Sequence, residues 1–420
     1  MRSVRGAPRL LAAGAALAAA LAACGREAPL DERVRQRLAQ QDHDGALALL
    51  DRRLQREPGD QAAKVLRVRV LLRAGRMEQA IGAYAGLPEA LIPQDAPLAR
   101  ELVLALVRDA LRRDDAYLQS RGALALAGIG DGEALPLFRE AMAHPNPSVR
   151  AGAVRGLSRL RSSEAAALAV AALDDGDGGV RAVAAEALGV LGAEEARGAL
   201  RRALKDTEGG VRMRAAVALA LLGDAEALDV LRRAVPGGEG GPASAGDGAD
   251  RAGPGGHRVL VMNNPAERDY VQIVAAEALA RLGEPQGRAA LVRMLRHPRR
   301  FVALFAAESL SNLGDPAPRP FLRQVVEDPG DRAHHMYAAW TLARLGDGAG
   351  GPAVAELLTD PDEHLRQRAA WTLGQMGRLA PIAPLRRALA DPNRGVRYQA
   401  AWALGEIILA GPPAPRAERG

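Results

Sequence analysis

Few residues in this chain have the type and spacing that chemistry needs. One residue of 420 is a cysteine, Cys24, so the remainder has no disulfide, no thiol nucleophile and no thiolate metal site. His334, His335 and His364 come close together, and three imidazoles suffice to bind a metal. Their setting reads instead as polar turns. His144 and His297 stand directly before Pro145 and Pro298, which is also a turn setting. No glycine-rich loop follows a strand and no Ser/His/Asp set has a recognisable context, so no catalytic residue is assigned. The remaining candidates are aromatic. All three tryptophans, Trp340, Trp371 and Trp402, are spaced by 31 residues. Trp, Tyr and Arg are the types that carry most binding energy at interfaces. With Tyr337, Arg368 and Tyr398 nearby in the pattern, the tryptophans make a candidate partner-binding set, although packing filler between helices explains them equally well.

The spacing of the tryptophans belongs to a wider beat. Leu157, Leu188, Leu219, Leu279, Leu310, Leu342, Leu373 and Leu404 follow one another at 31, 31, 60, 31, 32, 31 and 31. A fixed period of this length means stacked units, none of which buries its apolar face alone. Paired alanines precede the leucines, as in Ala184-Ala185 and Ala369-Ala370, and allow helices to approach closely. A glycine follows each helix, at Gly130, Gly192, Gly223, Gly283, Gly314, Gly346 and Gly377, as a C-cap signal. The residue after the alanine pair is Glu186, Val217, Glu277, Glu308, Trp340, Trp371 and Trp402 in successive units. This one slot changes from mainly acidic to aromatic along the chain.

The gap of 60 locates an insertion over residues 236–268, between an outer helix Ala225–Val235 and an inner helix Asp269–Leu282. Pro236–Gly256 holds nine glycines and composition predicts disorder there. His257–Met262 is an apolar run suited to a short strand or to docking on the stack. Lacking a Lys and flanking elements, the glycines are a linker and no phosphate cradle. A disordered tail is expected over 411–420.

Composition limits the partners. Lys64 and Lys205 are the only lysines, and arginine supplies nearly all the positive charge, as compositional bias does. Residues 1–23 contain Arg2, Arg5 and Arg9 and no acid, so without them the formal net charge of +6 falls to +3. That surplus, interspersed with acids, does not indicate nucleic acid.

From residue 97 to 410 the chain resembles HEAT repeats, specifically the short variety related to phycobilin lyases, in about nine units. In that family an Asp in the turn precedes a Val-Arg start of the inner helix. Here Asp175 and Arg181, Asp206 and Arg212, Asp360 and Arg366, and Asp391 and Arg397 are each six apart. The Asp suits capping of the inner helix, and the Arg suits a bond to that Asp or to its neighbour's, forming a ladder. The resemblance implies that the variable slot lines the concave face. It also raises an enzymatic alternative, a lyase-type enzyme or accessory holding a metal, cofactor or pigment in the groove. The iron-binding deoxyhypusine hydroxylase branch uses His-Glu pairs. The corresponding pairs here are Met213-Arg214, Ile273-Val274, Leu304-Phe305, Met336-Tyr337, Gln367-Arg368 and Tyr398-Gln399, none of them His-Glu. No cofactor and no metal is therefore expected.

Residues 31–93 carry a second period of 34, aligning Ala46 with Ala80 and Leu50 with Tyr84. This resembles the tetratricopeptide repeat, without its early large aromatic. Ahead of it, three arginines and the apolar run Leu10–Ala23 form a signal segment. Leu21-Ala22-Ala23-Cys24-Gly25 resembles a bacterial lipobox, which implies lipidation of Cys24, a tether over 24–30 and, with Gly25 next, the outer membrane facing the periplasm. The sequence thus predicts an all-α chain, a right-handed α-solenoid of stacked hairpins. Its expected role is a lipid-anchored, non-catalytic scaffold for a protein or peptide partner with apolar and basic segments.

Overall fold

The computed structural model describes residues 29–88, 96–126, 134–160, 162–235, 265–328, 330 and 332–409. The signal segment, Cys24, Gly130, most of the insertion with His257–Met262, and the tail after 410 lie outside the described residues. All regular structure among the described residues is helical, and the chain divides into two compact units, residues 1–101 and 102–420. The division falls inside the helix Ala96–Arg112, a turn or more beyond the boundary expected between 93 and 97.

The first unit is built from helices Leu30–Ala39, His43–Arg56, Gln61–Arg73 and Met77–Ala85. The residues that set its period, Ala46, Leu50, Ala80 and Tyr84, are all buried. Asp42 and Asp60 begin two of the helices by accepting bonds from the Gly45 and Ala63 amides at 2.8 and 3.0 Å. Each satisfies a donor that the helix start leaves unpaired.

The second unit is a stack of helix pairs, an α-solenoid. Its inner helices are Ala116–Ala125, Pro147–Leu157, Gly178–Leu191, Gly209–Leu221, Pro265–Arg281, Arg300–Asn312, Arg332–Arg344, Glu363–Met376 and Arg394–Leu409. An outer helix precedes each, as Ser163–Ala171 precedes Gly178–Leu191. The fifth inner helix starts at Pro265, four residues before the expected Asp269, because proline suits the first helical position where no amide partner is needed. The insertion is correspondingly shorter than 236–268.

The beat is a packing rule. All eight periodic leucines from Leu157 to Leu404, and every paired alanine from Ala184 to Ala401, are fully buried. Small residues let neighbouring inner helices touch backbone to backbone. A Cβ on Gly189 would sit 2.9 Å from the Ala218 Cα, and one on Gly374 would sit 2.9 Å from the Ala403 Cα. The helices end as the glycines predicted. Gly192, Gly223, Gly283, Gly314 and Gly346 have φ between 65° and 84°. The amide that follows each one bonds back to the periodic leucine carbonyl, as Ala193 does to Leu188 at 3.1 Å. That closes a Schellman-type turn, so the leucine side chain and the glycine φ are set by one motif.

Arginines tie repeat to repeat. Arg150 holds Asp175 through two bonds of 2.7 Å, Arg181 holds Asp206 at 2.8 and 2.9 Å, and Arg366 holds Asp391 at 2.8 and 2.9 Å. Each reaches the Asp of the following unit. The third donor group of each arginine binds carbonyls of its own turn. Arg181 does so at Asp175 (2.9 Å), Arg366 at Asp360 (2.9 Å), Arg212 at Asp206 (2.8 Å) and Arg397 at Asp391 (2.7 Å). One expectation needs correction. Asp175, Asp206, Asp360 and Asp391 do not cap the inner helices. They accept from the amide two residues on, at 2.8–2.9 Å, because they sit two residues ahead of the cap position. The caps are Asp177, Asp362 and Asn393, which bind the Val180, His364 and Val396 amides. Where the arginine position is taken by Ala303 and His335, arginines at the helix starts substitute: Arg300 bonds Asp328 at 2.9 Å and Arg332 bonds Asp360, whereas beside Gln272 the bond runs backward, from Arg299 to Asp269 of the preceding unit.

Candidate binding face of the inner helices

Aromatic rings run along the inner helices of repeats six to eight. Phe301 meets Phe305 at 6.2 Å between centroids, Phe305 meets Tyr337 at 5.8 Å, Tyr337 meets Trp340 at 5.4 Å, and Trp340 meets Trp371 at 6.1 Å. The first three contacts are edge-to-face, the arrangement ring quadrupoles favour. The row follows from the sequence slots. Residues i and i+3 or i+4 share a helix face, and the 31-residue beat brings equivalent faces side by side. Arg344 lies over the Trp340 ring at 5.6 Å and Arg121 over Trp371 at 4.7 Å, both within cation–π range. Trp340, Trp371 and Tyr337 are half-buried, Arg368 is exposed, and Phe301 and Phe305 are exposed large apolar residues.

An acidic stretch adjoins the rings. Glu186, Glu277 and Glu308 line a cavity of about 270 Å³ with Arg214, Tyr270 and Phe305. Arg214 pairs with Glu186 at 3.1 Å and with the Tyr270 hydroxyl. Burial draws its pKa down, but Glu186 and Tyr270 outweigh that and the net direction is up. Glu277 accepts from Ser309 at 2.7 Å and from Arg281 at 2.6 Å. Glu308 accepts from the Tyr337 hydroxyl. Burial pushes the Glu308 carboxyl above the usual range, against Tyr337 and Arg344, with Glu277 and Glu186 adding like charge. Burial and Glu308 raise the Tyr337 phenol in turn, so it stays a hydrogen-bond donor. The arrangement offers apolar ring faces beside carboxylates, suited to holding a chain with apolar and cationic groups.

The row does not continue to Trp402 as the equal spacing predicts. Tyr398 and Trp402 pair with each other at 5.9 Å and are buried, at 0% and 1% exposure. The last helix, Arg394–Leu409, packs on the first inner helix, Ala116–Ala125, so the solenoid of this unit closes on itself. Tyr398 donates to Asp109, which also receives Arg113 at 3.2 Å, and the Arg113 guanidinium lies 5.7 Å from the Tyr398 ring. Gly122 leaves room for Trp402, whose indole carbon would be 3.6 Å from a Cβ there. As sequence candidates for an exposed face, Tyr398 and Trp402 are therefore corrected: the first repeat covers them. Glu406, which the sequence reading passed over, lies at the same closure. It accepts from Gln375 at 2.9 Å, and burial pushes its carboxyl up to about 7 against Arg159 and Arg121. Its slot, two residues after the periodic leucine, is occupied by Arg159, Val190, Leu221, Arg281, Asn312, Arg344 and Gln375 in other units. That position lies on the same helix face four residues after the variable slot, which was signal enough to find it.

Two of the histidines take structural parts. His144 and His297 accept from the amides of Asn146 and Arg299 at 3.1 and 3.2 Å, fixing their turns. Among the described residues no three His, Cys, Asp or Glu side chains are placed to hold a metal.

The family model for HEAT repeats matches residues 104–189, 166–239, 262–343 and 330–405, more than half of the chain. This chain is a HEAT-repeat protein. A tetratricopeptide repeat model matches residues 37–106, which takes in part of the helix Ala96–Arg112. Among solved structures, this HEAT-repeat protein is similar to human deoxyhypusine hydroxylase in complex with glycerol. The identity is 22%, with 75% of this chain and 99% of that one covered and a TM-score of 0.34. It is also similar to the CpcE–CpcF complex of phycocyanin lyase from Nostoc sp. PCC7120, at 22% identity over 64% of this chain and 92% of that one, TM-score 0.32. Escherichia coli YibA is similar at 17% identity over 66% and 96%, TM-score 0.31. No curated protein sequence matches the chain.

Proposed function

We propose that this protein is a non-catalytic scaffold whose inner-helix face holds a protein or peptide partner bearing apolar and basic side chains. The observation that carries the reading is the unbroken row of rings from Phe301 through Phe305, Tyr337 and Trp340 to Trp371, set beside Glu186, Glu277 and Glu308. The half-exposed Trp and Tyr rings are of the types enriched at binding hot spots, and the carboxylates beside them complement basic side chains. In this reading Cys24 carries a lipid anchor that keeps the scaffold on the bacterial envelope, at the outer membrane facing the periplasm. Several acyl chains together suffice for stable attachment, since each buried methylene contributes about 0.8 kcal/mol.

The test is affinity for a partner captured from membranes and then purified. Trp371→Ala and Trp340→Ala each weaken binding by about tenfold or more, the loss of one hot-spot residue. Leu379→Ala, an exposed apolar residue outside the row, leaves it unchanged. Equal affinity across all three variants rules the ring row out as the binding face.

A further inference from the structure

The closure between the first and last repeats joins residues far apart in the chain. Tyr398 and Asp109 are 289 positions apart and share one hydrogen bond, beside the guanidinium of Arg113. Arg121 spans the closure onto Trp371, and Gly122 accommodates Trp402. The closed arrangement also leaves polar atoms unsatisfied. The Trp402 indole N–H and the Gln399 side-chain carbonyl are buried without a hydrogen-bond partner, although both belong to side chains at least 98% buried. A buried donor and a buried acceptor each cost free energy when unpaired. Closure therefore covers apolar and aromatic surface but strands polar groups, which is the balance expected of a contact that opens.

We propose that this seam is a latch: closed, it hides Tyr398, Trp402 and Gln399 against the first repeat, and open, it adds them to the ring row offered to the partner. The proposal concerns the regulation of the face described under Proposed function and rests on that reading. It explains why Trp402, a residue of hot-spot type in the last repeat's variable slot, is covered.

Glu406 makes the latch responsive to pH. From the packed elements, Arg121 of Ala116–Ala125, Arg159 after Pro147–Leu157, and neutral Gln375 of Glu363–Met376 face it. Its carboxyl is raised from 4.5 to about 7 when buried. Where opening brings this carboxyl into water, the closed form holds the proton more tightly than the open form, and loss of Arg121 on opening acts in the opposite sense. Closure is favoured at acid pH, weakens as pH rises from 4.5 through about 7, and is flat above. The closed-to-open ratio changes by on the order of 100-fold across that interval.

The test is a distance between spin labels on the full chain carrying Asp114→Cys and Arg394→Cys, with Cys24→Ser so that no third thiol is labelled. Electron–electron resonance at pH 5 shows one short distance, and at pH 8 a longer one grows at its expense. Glu406→Gln holds the short distance at both pH values. Tyr398→Phe, which removes the hydroxyl's bonds to Asp109 and Arg113, populates the longer distance at both. Far-UV circular dichroism confirms that both variants remain helical. A single distance that responds to neither pH nor Tyr398→Phe overturns the latch, and pH-driven opening that survives Glu406→Gln overturns the part given to Glu406. The measurement contains no partner, so a rigid seam leaves the partner-binding reading standing on its own test.

Discussion

Replacing Arg181 by alanine tests whether the arginine ladder holds repeats together or decorates the surface. Arg181 and Asp206 are only 15% and 12% exposed, and two parallel bonds of 2.8 and 2.9 Å join them. A third donor binds the Asp175 carbonyl at 2.9 Å, and Asp206 also receives the Glu208 amide at 2.8 Å. Hydrogen bonds to charged groups contribute roughly 1.5–3 kcal/mol each, and breaking a buried pair costs about 3–5 kcal/mol because one charge is stranded. Asp206 keeps its amide donor and its edge toward water, so the lower end, about 3 kcal/mol, applies to Arg181→Ala. In a repeat array this loss belongs to the interface between the third and fourth units. A double-mutant cycle with Asp206→Ala, read by hydrogen exchange of the flanking inner helices, isolates the pair. The expected coupling is about 2 kcal/mol. The sign with pH is also fixed. Arg181 first, and then the Glu208 amide, hold the Asp206 carboxyl below its ordinary 3.8. The ladder's stabilisation is complete above that value and is lost as pH falls through the lower folded value. Coupling below about 0.5 kcal/mol, the level of exposed ion pairs, refutes the reasoning.

Two further outcomes follow from the same structure, and a third from the proposed lipid anchor. Gly374→Ala forces a Cβ to within 2.9 Å of the Ala403 backbone and lowers stability by about 1–3 kcal/mol in thermal unfolding, whereas Gly210→Ala, with nothing within 4 Å, is neutral or stabilising. Asp42→Ala removes the bond to the Gly45 amide and destabilises the first unit by about 1 kcal/mol, measured as local exchange of His43–Arg56. Cys24→Ser moves the protein from the membrane to the soluble fraction on cell fractionation; unaltered membrane association contradicts the lipid anchor.

The stacking was legible because it is local. Periodic leucines, alanine pairs and C-cap glycines each express a requirement met within one helix or between neighbouring units, so a linear pattern records them. Ladder direction was half legible: six-residue spacing located the Asp and the Arg, but the Arg reaches the next unit's Asp 25 residues on, and the cap falls to Asp177. Substitution by Arg300 and Arg332 in the middle repeats kept the bond while moving its origin, which no fixed spacing reveals. The seam was not legible at all. Trp402 occupies the same slot as Trp340 and Trp371, and only the return of the chain onto Ala116–Ala125 decides that it is covered. Glu406 acquires its raised carboxyl from burial, which outweighs Arg159 and Arg121, and no neighbour in sequence supplies that burial.

The central claim is that the inner-helix face of the second unit holds the partner. Photo-crosslinking in cells tests it, with p-benzoylphenylalanine placed at Val190 or Arg368 on that face, or at Glu226 on an outer helix. One and the same partner crosslinked from positions 190 and 368, and not from 226, is the predicted result. Partner crosslinks from 226 with none from 190 or 368 contradict the account.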